Sequence, residues 1–218
     1  GRCGGVCPGP GSWAATGASR APRNPGVTTL RADGRVLGAG GFNQAAGLIA
    51  PGELYDPATG TWSNSGSLTQ PRDSNIQVRL VDGRVLVAGG VKRFGFASHP
   101  PKITASTEIY NPATGIWSRT GSLNTPRIDF TANPLNDGRV FAAGGWDIGT
   151  TGGAPQIYSS IEEYTPATGK WRTLSIALAA ARFAHSTTSL LDGSLIIAGG
   201  QGNSIALIPT AELFVKPK

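Results

Sequence analysis

Few side chains in this chain are placed to do chemistry. Its 218 residues include only two histidines, His99 and His185, and two cysteines, Cys3 and Cys7. A metal centre needs several such ligands within reach of one another, and these four do not cluster in the sequence. In an oxidising compartment the two thiols would close a very small disulfide loop. The plainer reading is two thiols on a Gly/Pro-rich tail spanning 1–11. No serine stands in a Gly-x-Ser-x-Gly setting that would mark it as a nucleophile. Glycosidic acid–base work needs two facing carboxyls, yet Asp147 is the sole acidic residue in the four variable segments described below. No metal and no cofactor is implied, and the residues favour binding over catalysis.

The formal net charge of +6 invites a nucleic-acid or anionic-surface partner. The distribution argues against nucleic acid. Arg23, Arg72, Arg127 and Arg182 recur at one spacing, and Arg35, Arg84 and Arg139 at another, with no run of Lys/Arg and no aromatic interleaving. No apolar run approaches the ~18 residues of a membrane helix. There is no Met, so the chain is expected to be processed or part of something longer.

The informative feature is a four-fold repeat. Asp-Gly occurs at 33–34, 82–83, 137–138 and 192–193. Each is followed by Gly-Gly at 40–41, 89–90, 144–145 and 199–200. Glu then precedes an aromatic by two residues (Glu53/Tyr55, Glu108/Tyr110, Glu162/Tyr164, Glu212/Phe214), and Trp62, Trp117 and Trp171 follow the first three Glu by nine. Periods near ~50 residues mark propellers, solenoids or arrays.

The second unit reads most clearly. Arg72–Leu80 alternates as a strand, and Asp82-Gly83 supplies the positive φ angles of a tight turn. Arg84–Gly90 is an apolar run, a strand buried on both faces. Thr107–Tyr110 is a third strand, Asn111-Pro-Ala-Thr-Gly115 a turn, and Ile116–Arg119 a fourth strand whose Trp117 fills the wedge between blades. Four antiparallel strands per unit describe a propeller blade rather than a solenoid coil. The expectation is an all-β propeller of four such blades, at about 23–65, 72–120, 127–174 and 182–214 plus 12–16, within one domain spanning 12–218.

The order Arg, apolar strand, Asp-Gly-Arg-Val-Leu, Ala-Gly-Gly, Glu-x-Tyr, Pro-Ala-Thr-Gly, Trp resembles the kelch repeat in its bacterial form, akin to the propeller domain of galactose oxidase and its relatives. The resemblance covers about residues 13 to 214. It implies a kelch-type propeller and, from its bacterial style, a secreted or cell-surface protein. It implies little about activity, because such propellers serve many tasks. The copper radical chemistry of galactose oxidase relatives depends on two Tyr, two His and a Tyr–Cys crosslink. Here Tyr55, Tyr110 and Tyr164 are repeat residues, only Tyr158 is left over, and both Cys lie in the tail. The catalytic residues of kelch-type sialic acid epimerases find no match either.

Most spacings are constant. Arg to Asp is 10 (23→33, 72→82, 127→137, 182→192), Trp to the next Arg is 10 or 11, and only the step from Gly-Gly to Glu varies substantially: 13 (40→53), 19 (89→108), 18 (144→162) and 13 (199→212). The variation sits between the second and third strands. In a meander those connections share one face with the 4–1 connections, and such a face is commonly the binding face. The variable segments are Phe42–Pro51, Val91–Thr107, Trp146–Ile161 and Gln201–Ala211. Within them Lys92, Arg93, Phe94, Phe96, His99 and Lys102, with Trp146, Asp147 and Tyr158, are candidates for a protein or glycan ligand. The competing reading packs Trp146 and Phe94 onto their own loops. The repeated Arg23, Arg72, Arg127 and Arg182, Glu53, Glu108, Glu162 and Glu212, and Trp13, Trp62, Trp117 and Trp171 are expected to be structural, the charges paired because a buried charge needs a partner.

The function expected is a non-catalytic binding or scaffold module. The alternative is a piece of a secreted, galactose oxidase-like or epimerase-like carbohydrate-active enzyme whose catalytic residues lie outside this chain. A purely structural repeat module is a third possibility. The ends also allow two readings: a four-bladed ring closed by the strand at 12–16, or a section of a larger propeller. Kelch propellers usually have six or seven blades, and Pro8 and Gly11 precede Trp13 as Pro57 and Gly60 precede Trp62, which tips the balance toward the section.

Overall fold

A computed structural model of the chain describes residues 11–24, 27–93, 101–149, 154–203 and 206–215. Cys3, Cys7, Phe94, Phe96 and His99 lie outside the described residues. The first blade is built from β1 (Thr28–Leu30), β2 (Val36–Gly38), a small ribbon of β3 (Phe42–Asn43) and β4 (Gly47–Leu48), then β5 (Pro51–Asp56) and β6 (Thr61–Ser67). The second repeats this with β7 (Ile76–Arg79), β8 (Val85–Ala88), the ribbon β9 (Val91–Arg93) and β10 (Lys102–Ile103), β11 (Thr107–Asn111) and β12 (Ile116–Thr120). The third uses β13 (Thr131–Pro134), β14 (Val140–Ala143), the ribbon β15 (Trp146–Asp147) and β16 (Gln156–Ile157), β17 (Ser160–Thr165) and β18 (Lys170–Ala177). The fourth has β19 (Ser186–Ser189), β20 (Leu195–Ala198) and β21 (Ala211–Phe214). Every pairing is antiparallel, and the described residues contain no α-helix. Innermost strands β1, β7, β13 and β19 stand side by side in that order about a common axis. The chain is an all-β, four-bladed propeller.

The apolar runs seen in the sequence are the second strands, and their period of two explains why both faces are apolar. In β8, Val85 and Val87 pack with Leu37, Ala39 and Leu54 of the first blade, while Leu86 and Ala88 pack with Phe130, Val140 and Ala142 of the third. In β14, Phe141 and Ala143 turn instead to Leu195 and Ile197 of the fourth blade. The core is therefore three slabs between blades. Trp117 and Trp171 close the outer ends of two slabs, each tilted on the Tyr paired with it in the neighbouring strand (Tyr110 and Tyr164, both at 5.1 Å).

One network recurs in every blade. Arg72 Nη1 donates to the carbonyls of Gly89 (3.1 Å) and Ser106 (2.7 Å), and Nη2 to Ser106 Oγ (2.9 Å) and Glu108 Oε1 (2.8 Å). Glu108 also accepts from the backbone amides of Thr69 (2.6 Å) and Gln70 (3.2 Å). Arg127 and Glu162 repeat the pattern, as do Arg182 with Glu212 and Arg23 with Glu53. Burial would raise the Glu53 pKa, but hydrogen bonds from Ser19, Arg23 and two backbone amides outweigh it and hold that carboxyl below its usual range. These arginines and glutamates pair within their own blade.

The structure departs from the sequence reading in three places. The first strand of the second blade starts at Ile76, not Arg72, because Ser74 adopts φ +54° and the backbone kinks out of the strand after the arginine. In the Asp82-Gly83 turn only Gly83 has positive φ, and Gly83 N–H donates to the Leu80 carbonyl (3.0 Å), so the loop has three residues rather than two. Segment 12–16 does not complete the fourth blade. It lies against the β5–β6 turn, with Thr16 Oγ1 2.6 Å from Tyr55 Oη and Gly17 N–H donating to the Gly60 carbonyl (2.9 Å). Those contacts match the hydrogen bonds of Thr120 and Gly121 to Tyr164 and Gly169 in the third blade. The segment thus occupies the place of a fourth strand of a blade standing before the first.

Two predictions follow from the network and the blade spacing. Arg127→Ala leaves fully buried Glu162 unpaired and lowers the unfolding free energy by ~3–5 kcal/mol in urea titration. Arg182→Ala loses less, because Glu212 is partly solvated. Gly144 and Gly199 share a left-handed φ (+65° and +69°), but a Cβ on Gly144 would stand 2.5 Å from the Arg182 carbonyl whereas one on Gly199 meets nothing. Gly199→Ala is expected to cost only the ~1–2 kcal/mol of the left-handed conformation, and Gly144→Ala clearly more, as read from paired thermal melts.

Candidate functional site

The 2–3 and 4–1 connections share one face, as the meander requires. Asn24, Asp73, Ile128 and Phe183, each directly after the repeat arginine, bridge to Phe42, Val91, Trp146 and Gln201 at the start of the variable segments. The described residues of the first three segments form short antiparallel ribbons and the fourth has a single bridge between Gln201 and Leu207, all rooted on the arginine network through the carbonyls it binds.

In the third blade, Trp146 and Asp147 pair with Ile157 and Gln156, and Tyr158 follows directly. The structure therefore brings together the three candidates of that blade. Trp146 is clamped. Its Nε1–H donates to Asp129 Oδ2 (2.8 Å) and its ring tilts on Phe183 of the fourth blade at 5.2 Å. Tyr158 lies over the Arg127 guanidinium at 5.2 Å, and burial, with Asp147 nearby, raises its pKa. Asp147 Oδ1 accepts from Gly149 N–H (3.0 Å).

Lys92, Arg93 and Lys102 belong to the β9–β10 ribbon of the second blade, Lys102 directly opposite Arg93. Burial and the positive charges of Lys102, Arg72 and Arg119 lower the Lys92 pKa, a sign of concentrated cationic charge. The bases of the two ribbons are continuous: Val91, Ile103 and Ile128 form one buried cluster on which Trp146 and Ile148 pack. The face thus joins a basic prong to an aromatic one on a shared apolar footing.

Several residues here escaped the sequence reading. Asp129 holds Trp146 and has φ +49°; Phe183 stacks on it; Asp73 is buried, with no protein donor to Oδ1 and a pKa raised by burial and by Asp129. A signal was present. The two positions after each arginine change identity from unit to unit (Asn24-Pro25, Asp73-Ser74, Ile128-Asp129, Phe183-Ala184) while their spacing stays constant. Among the described residues no group of three or more His, Cys, Asp or Glu is placed to hold a metal ion.

His185 faces the third blade. Its Nε2 lies 2.9 Å from Thr131 Oγ1, and burial and nearby Arg182 push its pKa down to about 4. It therefore enters the fold neutral. The unfolded chain takes up this proton below pH ~6.5, so stability present above that pH is lost as pH falls toward 4, by on the order of 3 kcal/mol. Phe130 occupies the same repeat position, and His185 and Phe130 approach Gly144 and Gly89 equally, each 2.7 Å from a Cβ added there. His185→Phe is expected to fold and to flatten the loss between pH 6.5 and 4 in urea titrations. The carboxylates held below their usual range, such as Asp33 and Asp82, act in a lower window and remain.

The chain matches no protein-family model and no curated protein. No helix among the described residues is long and apolar enough to cross a membrane.

Proposed function

We propose that the chain is a kelch-type propeller that binds a protein or glycan through the face carrying the ribbons, without catalysing a reaction. The observation behind this reading is the joining of the β9–β10 and β15–β16 ribbons on one apolar base, which holds Lys92 and Lys102 at fixed places relative to Trp146. Residues held in paired ribbon strands on a stiff frame bind with little ordering cost. The cationic ribbon suits an acidic group on the ligand, and the exposed part of Trp146 a sugar ring or an apolar side chain. A secreted or cell-surface location is part of the proposal and rests on the resemblance to bacterial kelch repeats.

A panel of immobilised glycans and acidic peptides tests it. Ligands retained by the wild type are expected to bind at least ~10-fold more weakly to Lys92→Ala/Lys102→Ala, with added loss at raised salt. Trp146→Phe, which gives up the bond to Asp129, is expected to lower affinity at temperatures where its single cooperative melt, shifted down slightly, leaves it folded. Retention that ignores both variants, or no ligand in either class, would sink the reading.

A further inference from the structure

The β9–β10 ribbon differs from the other two by one residue. In β3–β4 and β15–β16 the paired strands advance in step: Phe42 and Asn43 stand opposite Leu48 and Gly47, Trp146 and Asp147 opposite Ile157 and Gln156. In β9–β10, Val91 stands opposite Ile103, but the residue opposite Lys102 is Arg93. Lys92 is the extra residue of a β-bulge. Bulges re-aim side chains and are over-represented beside functional sites.

The register fixes which way each side chain points. Residues paired across an antiparallel ribbon share a face, and neighbours along a strand alternate. Val91 and Ile103 face inward, onto the cluster with Ile128. Lys102, next to Ile103, faces outward with its partner Arg93, and both are exposed. Lys92, next to Val91, faces outward too. Without the bulge, Arg93 would alternate back to the buried face. One inserted residue thus puts three cations on one side of a short ribbon. Arg119 of β12 adds a fourth, its Nε–H donating to Thr69 Oγ1 (3.3 Å). After burial, the charges that lower the Lys92 pKa are those of Lys102, Arg72 and Arg119.

This grouping opposes its own stability. Like charges directly opposite each other on a sheet repel, as Arg93 and Lys102 do. Arg72 is matched by Glu108, but among the described residues Lys92, Lys102 and Arg119 form no ion pair. The stretch 83–107 holds no Asp or Glu. The frame does not require the charges either. Gln156 holds the place of Lys102 in the third blade, and Asn64 and Thr173 hold that of Arg119 in the first and third. The second blade packs on both sides against blades of this chain, so the ribbon does not border an open wedge. A local conflict that the fold does not need is what a functional site leaves behind.

We propose that the bulged ribbon is an oxyanion site in which Lys92, Lys102 and Arg119 bind the carboxylate or sulfate of an acidic sugar. This rests on the reading of the ribbon face as a binding face and names the charged group that the face selects. Lysines supply point charges, and Arg119 a fork that matches a planar or tetrahedral oxyanion. A sugar is favoured over an acidic peptide by the charge on the rest of the face. Trp146, on the same apolar base, is bonded to Asp129 and followed by Asp147. A run of acidic side chains would meet those carboxylates, whereas a sugar offers one charge at the ribbon and a neutral ring to the indole.

NMR titration of the chain with glucuronate, glucose 6-sulfate and uncharged glucose tests this. The two acids are expected to shift Lys92, Lys102 and Arg119, and the tighter of the two tells carboxylate from sulfate. Glucose is expected to leave those three unmoved, and acid binding to weaken as salt rises. Lys102→Gln and Arg119→Thr, each installing the residue of the third blade, are expected to weaken the acids at least ~10-fold. Lys102→Gln is also expected to melt no lower than the wild type, because it relieves repulsion; a purely structural lysine would lower the melt. Acids that shift the ribbon no more than glucose does, or variants that bind them as the wild type does, would overturn the oxyanion site. In that event glucose shifts at Trp146 would leave the binding face itself standing, and no shift from any of the three would count against both. A triglutamate peptide that binds the ribbon more tightly than glucuronate would overturn the choice of a sugar.

Discussion

A buried arginine–glutamate pair organises each blade. Taking two charges out of water is expensive, and such a pair is often no better than well-packed apolar residues of the same volume. Its value here is geometric. Where a strand splits into a ribbon and another chain segment enters from the preceding blade, several carbonyls and amides lose their ladder partners in a place water does not reach. The planar fork of Arg127 satisfies the carbonyls of Gly144 and Ser160 together with Ser160 Oγ, and Glu162 takes the amides of Asn124 and Thr125. Leucine or methionine would fill the space and leave those groups orphaned. The ribbons that form the candidate binding face are rooted on this pair, so their placement depends on it.

Blade-to-blade packing is the second constraint, and it is set by small residues at one end and aromatics at the other. Near the axis the Gly-Gly pairs let backbone meet backbone, amide to carbonyl. At the rim a hydroxyl on the outer strand meets a tyrosine of the next blade, as Ser65 does Tyr110 and Thr120 does Tyr164. Between the third and fourth blades both members change together. Leu174 stands at the hydroxyl position and Phe214 at the tyrosine, and they share one apolar cluster. The junction exchanges a hydrogen bond for apolar contact without leaving a polar group alone. Thr16 with Tyr55 keeps the polar version, so the N-terminal segment presents an ordinary junction surface.

Both the frame and its strain serve the ribbon face. Ser74, Asp129 and Ala184 hold left-handed conformations that cost each of them of order 1 kcal/mol. They occupy one repeat position, where the chain turns from the arginine network into the innermost strand. At that kink Asp129 reaches the Trp146 indole, so the strain and the positioning of the aromatic belong to the same turn.

By itself the sequence determined the fold class, the four repeat units and that the repeated Arg and Glu are paired, because Arg, Asp-Gly and Gly-Gly recur at one constant spacing and Glu and Trp at another, and each spacing has one local meaning in a four-stranded meander. It also located the variable face, since length differences fell in a single connection, and it placed Trp146, Tyr158 and Lys92 there. Tertiary structure decided what these residues touch. Asp129 and Phe183 lie 17 and 37 residues from Trp146 in sequence, and no local periodicity brings a side chain of the fourth blade onto an indole of the third. The place of segment 12–16 was likewise undetermined. Its motif states that it is an outer strand, but which blade it serves depends on how far each blade rotates from the last, a quantity set by packing between slabs and carried by no single spacing.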